Sequence, residues 1–396
     1  MRGGLFERAR EDVAGRAAVV ELQSLRGIAA IIVIIYHASL YFDYGYDAKF
    51  WMTVVLNAHA AVVSFFVLSG FVLILSLLRA PLSGRGVAFF YVRRAFRIYP
   101  ALWVACAAAV LYFLVLDDGG LPAGATAWAG FTFAAWPISG SKLILSFAGL
   151  KPHLPVPIWS LAVELLASVA MPVIVWTMSR SVLAFAVLLA GLAMVSLQDL
   201  DRFVLVPAYL VVFAIGAGIA LAVPYWRGWA QRRGVVAGGA VAGLALMWFA
   251  RLFTGADFDV RYHQGLATIL EGCGAALLIG TIYVRPDRFR PLAHRWATRL
   301  GDMSYSLYLL HLPVIGTLAM IGASLAPQGV AAHPGFATIL LATGTLAATL
   351  PLSAWAFRHV EVPAIGLGQR LLRRIDARLA RAVPPLLPMP RVHIRG

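Results

Sequence analysis

Ten separate stretches of this chain are apolar for about twenty residues each, and that recurrence constrains its fold more than any other feature. They fall near 19–41, 56–78, 98–116, 158–178, 181–197, 203–223, 235–253, 264–284, 303–324 and 336–358. A helix of about 20 residues matches the ~30 Å hydrocarbon core of a bilayer, and in lipid a helix satisfies its backbone N–H and C=O groups internally. The sequence therefore predicts an all-α, polytopic membrane bundle of about ten transmembrane helices. Composition agrees, since 61% of the 396 residues are hydrophobic and only 13% are charged, against roughly 25% charged in a soluble domain. The stretch 125–149 is also apolar, but Pro137 and Gly140 interrupt it, which predicts a re-entrant or interfacial piece and not a crossing.

Charge supplies the orientation. With the N-terminus in the cytoplasm, the inner segments hold 26 of the 33 Lys and Arg, as expected of cytoplasmic loops, and the C-terminus is cytoplasmic too. The net charge of +15 is spread over these loops and not gathered on one surface, which argues against nucleic acid as a partner. Residues 1–18 read as a cytoplasmic segment, 19–362 as the transmembrane domain and 363–396 as a basic tail. Within the tail, "LLRRIDARLARAV" suits an amphipathic helix lying on anionic membrane lipids, and the Pro-rich "VPPLLPMP" reads as disordered. "MRGGLFERAREDVAG" is too charged and Gly-rich for a secretory signal, so no cleaved leader is expected. Cys106 and Cys273 both fall in expected spans and suggest neither a disulfide nor a metal site. Phosphate-cradling loops, dinucleotide fingerprints and HExxH are missing, and no metal or bound cofactor is expected.

The first span, "LRGIAAIIVIIYHA", begins with Arg26 and ends with His37. Eleven residues separate them, so at ~100° per residue they lie only about 20° apart around the helix and roughly 16 Å apart along it. Ionisable groups inside a span face the bundle interior or a water-filled cavity. The bland alternative is a snorkelling arginine and a satisfied buried histidine. In "YVRRAFRIYPALWV", Arg93, Arg94 and Arg97 cluster at the entry to the third span, with Arg94 and Arg97 on one face. Guanidinium forks suit phosphate, although the topology rule alone also explains positive charge there.

"LPVPIWSLAVELLASV" places Glu164 about 10 Å into its span, at a depth comparable to His37, so that a His and a Glu could form a base with an orienting partner. "GDMSYSLYLLHLPV" sets Ser304, Tyr305, Ser306 and Tyr308 ahead of a mid-span His311, a pattern that equally serves helix packing. In "SFFVLSGFVL", Ser69 and Gly70 suit close helix approach.

Taken in order, "LQSLRGIAAIIVIIYH", "FFVLSGFVL", "RRAFRIYP", "WSLAVE", "SYSLYLLH" and "FRHVEVPAIGLGQRL" resemble the successive signatures of the acyltransferase family 3 integral membrane proteins, over residues 21–370. The resemblance implies O-acyl transfer, most often of acetyl, from cytoplasmic acyl-CoA to a sugar hydroxyl of a cell-surface glycan or lipid-linked sugar, in a bundle of about ten helices in the bacterial inner membrane. Its functional residues map onto Arg26, His37, Arg94, Arg97 and Glu164. Combined with the spacing, this predicts an inner layer of Arg26, Arg94, Arg97 and Arg93 on the CoA phosphates. It also predicts His37 as general base or acyl carrier oriented by Glu164, with Ser304, Tyr305 and His311 on the substrate side. Gln23-Ser24 and Val63 depart from the usual residues of the family, which bears on substrate identity more than on chemistry. The competing class is a transporter or flippase coupling through the same Arg, His and Glu, but no second copy of these stretches marks an internal repeat.

Overall fold

A computed structural model describes residues 6–8, 11, 19–78, 82–116, 120–133, 138–198, 205–254 and 264–382. The Pro-rich end and most of residues 1–18 lie outside the described residues. The main helices are α1 (Val20–Ser39), α2 (Tyr46–Leu56), α3 (Ala58–Leu78), α4 (Gly84–Leu116), α5 (Ala127–Phe133), α6 (Gly140–Phe147), α7 (Ile158–Arg180) and α8 (Val182–Leu197). They continue with α9 (Leu210–Trp229), α10 (Arg233–Thr254), α11 (Gly265–Val284), α12 (Arg295–Asp302), α13 (Ser304–Leu325), α14 (Pro334–Ala356) and α15 (Val362–Ala382). A π-helical turn, Phe357–Glu361, joins α14 to α15.

Among the described residues nine helices are long and apolar enough to cross a membrane. The expected tenth crossing, 181–197, is α8, which has 16 residues and so falls short of the about 20 a perpendicular span needs. The span expected at 203–223 is displaced, with α9 running from Leu210 to Trp229. The interrupted stretch 125–149 forms α5 and α6, of seven and eight residues, neither able to cross.

Large apolar side chains remain exposed at helical spacing, such as Val169, Val173 and Trp176 on α7 and Phe336, Ile339 and Leu340 on α14. In water such a surface would aggregate; in a membrane it meets acyl chains. Inside, two apolar clusters form. One gathers Phe66, Phe71, Phe213 and Tyr283 from α3, α9 and α11. The other gathers Tyr41, Leu102, Phe113 and Phe133 around α4, α5 and α13. Helix α1 joins them, with Val33 in the first and Ala38 in the second.

Close helix approach is set by glycine where the sequence leads to that expectation. A Cβ on Gly70 would lie 2.8 Å from Phe213 Cα of α9, so "SG" is where α3 and α9 touch. Gly27, beside Arg26, does the same against α12, where a Cβ would lie 2.7 Å from Leu300 Cβ and 2.8 Å from Gly301 N. Gly27→Ala is therefore expected to push α12 off α1 and lower stability by about 1–3 kcal/mol, read as a fall in Tm in lipid or detergent.

A second ionic cluster ties α3, α10 and α11 together. Asn57 breaks α2 from α3 with a left-handed φ of 32°, a conformation Asn tolerates. Its side chain caps Ala60 N at 3.1 Å and donates to the Met247 carbonyl at 2.8 Å. Beside it, Glu271 pairs with His59 at 2.5 Å and with Arg251 at 3.3 Å, and His59 Nε2 meets the Tyr209 hydroxyl at 3.0 Å. Arg251, near the end of the expected span 235–253, is a buried helix residue, 4% exposed.

Candidate active site

A cleft with an empty volume of about 480 Å³ opens between α1, α3, α7 and α13, at the seam of the two apolar clusters. Its polar lining is Arg26, Ser69, Ser160, Glu164, Ser304, Tyr305 and Tyr308, and Phe65, Phe66 and Leu161 form an apolar wall. Arg26, Glu164, Ser304 and Tyr305, chosen from three different motifs, thus share one cavity.

At the arginine end, Arg94 donates to Glu164 Oε1 at 2.6 Å and to Ser168 Oγ at 3.1 Å. Glu164 therefore does not orient His37, as the sequence led one to expect. A carboxylate held inside a bundle gains more from a guanidinium at hydrogen-bond distance than from a neutral imidazole. Arg26 lies within electrostatic reach of Arg94, Arg97, Glu164 and Glu361. Neither Arg26 nor Arg97 has an ion pair among the described residues. Arg93 is exposed and is not among the charges acting on Arg26. Tyr305 donates its hydroxyl to the Ile98 carbonyl at 2.9 Å, which fixes its ring beside the cleft. The Ser304 hydroxyl is buried with no hydrogen-bond partner among the described residues, an orphan donor of the kind that signals a missing partner.

Sequence reasoning missed Glu361. It sits at the end of the π-helical turn, 2% exposed, and accepts a short hydrogen bond from Ser306. The one signal was a carboxylate inside the closing "FRHVEVP" stretch, which the span pattern assigned to the end of the last helix.

At the other end of α1, His37 is 8% exposed and its Nδ1 lies 2.8 Å from Nε2 of His311, itself fully buried. His311 Nδ1 lies 2.6 Å from the Tyr308 carbonyl. Trp128 of α5 stacks over His37, with ring centroids 5.6 Å apart and planes 10° apart. The interrupted stretch therefore reaches the imidazole, which nothing in its pattern indicated. Neither histidine lines the cleft; Tyr308, the residue that accepts from His311, does. Its hydroxyl meets Ser160 Oγ at 2.7 Å, and Ser160 in turn donates to the Pro157 carbonyl at 2.9 Å, so Tyr308 is the donor of that pair. Of the residues that depart from the family pattern, Ser24 and Val63 do not line the cleft. Ser24 donates to the Leu292 carbonyl at 2.5 Å, and Val63 is fully buried in the first apolar cluster.

Comparison with known proteins bears on this geometry. Residues 19–358 match a family described as an acyltransferase domain, family 3. Among curated proteins the chain is 25% identical to "Nodulation protein 10" of Rhizobium leguminosarum bv. viciae over 291 residues, 69% of this chain and 76% of that protein. No solved structure matches it.

Proposed function

From the premise that the chain belongs to acyltransferase family 3 and is a multi-pass membrane acyltransferase, we propose that it moves an acyl group, acetyl first among candidates, from cytoplasmic acyl-CoA to a sugar hydroxyl of a cell-surface polysaccharide or glycolipid, in the bacterial inner membrane. The observation that carries this reading is the single face of α1. It presents Arg26 without an ion pair to a cleft at one end and His37 to a second imidazole at the other. The donor's phosphates fit the guanidiniums of Arg26 and Arg97. Arg94 and Glu164 hold the wall in place, and the unpartnered Ser304 hydroxyl offers a further hydrogen bond.

In the transfer the acceptor oxygen forms a bond to the thioester carbonyl carbon, and the C–S bond breaks. A ring nitrogen of His37 takes the acceptor's proton and returns it to the departing thiolate, so an ester and free thiol leave. The same lone pair would serve if His37 carried the acyl group itself. Label retained by the protein after incubation with acyl-CoA alone marks the carrier role, and its absence the general-base role.

The test uses protein in liposomes, radiolabelled acetyl-CoA and an envelope-glycan extract. Wild type is expected to label the glycan. Arg26→Gln is expected to raise KM for the donor by about ten- to a hundredfold, the loss of one charge-assisted contact to phosphate. Failure of wild type to transfer label from acetyl-CoA or from longer acyl-CoAs overturns the reading, and movement of unmodified glycolipid across the same liposomes would then support the transporter class.

A further inference from the structure

We propose that His311 is a positioning residue that sets the protonation pattern of His37, through a relay that begins at the backbone carbonyl of Tyr308. The proposal rests on the reading of His37 as the reacting group. A carbonyl oxygen can only accept, so the nitrogen 2.6 Å from it, His311 Nδ1, carries that ring's proton. In the neutral ring the other nitrogen, Nε2, is then a bare acceptor. It faces His37 Nδ1 at 2.8 Å, so Nδ1 of His37 must be the donor. By the same rule the lone pair of His37 sits on Nε2, for which no hydrogen bond is found among the described residues.

One backbone oxygen therefore decides, two rings away, which nitrogen of His37 is free to take a proton or an acyl group. The two ring planes are 12° apart with centroids 5.0 Å apart, and with the nitrogens 2.8 Å apart the imidazoles meet edge to edge, as a linear hydrogen bond requires. Trp128 covers the face of the same ring. It restrains the ring's tilt, and His311 alone determines where the proton sits. Fixing the tautomer of a catalytic histidine is worth a great deal: where a neighbour that does this is altered, kcat falls by about 10⁴ in the best-known case.

Two substitutions separate the relay from a packing role. His311→Asn keeps a donor for the Tyr308 carbonyl but is too short to reach His37. His311→Gln extends an amide oxygen to where Nε2 lies. In the liposome assay, His311→Asn is expected to lower kcat by at least about a hundredfold with KM for acyl-CoA nearly unchanged, and His311→Gln to recover at least about tenfold of that loss. Equal impairment of the two variants, or an Asn variant as active as wild type, overturns the relay while leaving His37 as the reacting group. A His37→Ala protein that transfers at the wild-type rate overturns the underlying reading as well. Should the His311 variants not fold, the ¹⁵N NMR spectrum of wild-type protein labelled at histidine decides the matter. The signals lost in His37→Ala must show a protonated Nδ1 and a bare Nε2; the opposite tautomer refutes the relay.

Discussion

His37→Ala is expected to abolish acyl transfer, with a loss of at least about a thousandfold, in a protein that still folds. The magnitude follows from removing the group that takes the proton, worth roughly 10² to 10⁴ by itself, together with the oriented pair it forms with His311. The fold survives because His37 makes one hydrogen bond, to His311, and ring contacts with Trp128 and Tyr36, whose loss is of the order of 1–3 kcal/mol. Initial rates in liposomes, measured beside Tm in the same lipid, check both halves of this expectation. Retention of activity within about tenfold would place the reacting group elsewhere.

Glu271→Ala is expected to have the largest effect on stability. The carboxylate is fully buried and is the shared acceptor of His59, Arg251 and Asn57. Removing one member of a buried ion pair typically costs about 3–5 kcal/mol, because the remaining charge keeps its desolvation penalty. Three helices meet at this group, so the loss should appear as a single large fall in Tm. Glu271→Gln, which keeps an acceptor oxygen for the His59 ring and the Asn57 amide, should fall less. A Glu271→Ala protein as stable as wild type would show that the cluster adds nothing net to the fold.

Much of the site was legible along α1. The spacing of Arg26 and His37 assigns them to one face whatever surrounds the helix, because the rise and turn per residue belong to the helix itself. Gly70 was legible for a similar reason, since a missing side chain marks a place where another backbone can approach. The pairing of Glu164 was not. Counting from the start of its span set Glu164 at the depth of His37, but it sits at the arginine end of the site, paired with Arg94, because a residue count along one helix does not fix how that helix slides and tilts against its neighbours. Glu361 was hidden because a π-helical turn shifts the angular position of each following side chain, so counting at 3.6 residues per turn loses its face. Nothing in the stretches around His59 and Arg251 gives a local sign that Glu271 of α11 meets them.

The sequence by itself determined that this chain is an all-α membrane protein, where its apolar spans lie to within several residues, and which side chains on one helix share a face. These follow from local quantities: the length of helix that matches a bilayer, the internal satisfaction of backbone hydrogen bonds, and helical periodicity. Only the tertiary structure decided the partners: Arg94 with Glu164, His37 with His311, and Glu271 with His59 and Arg251. A partner is chosen by how separate helices rotate and slide against each other, and that is settled by the packing of many apolar side chains and a few glycines, information that no single stretch of sequence contains.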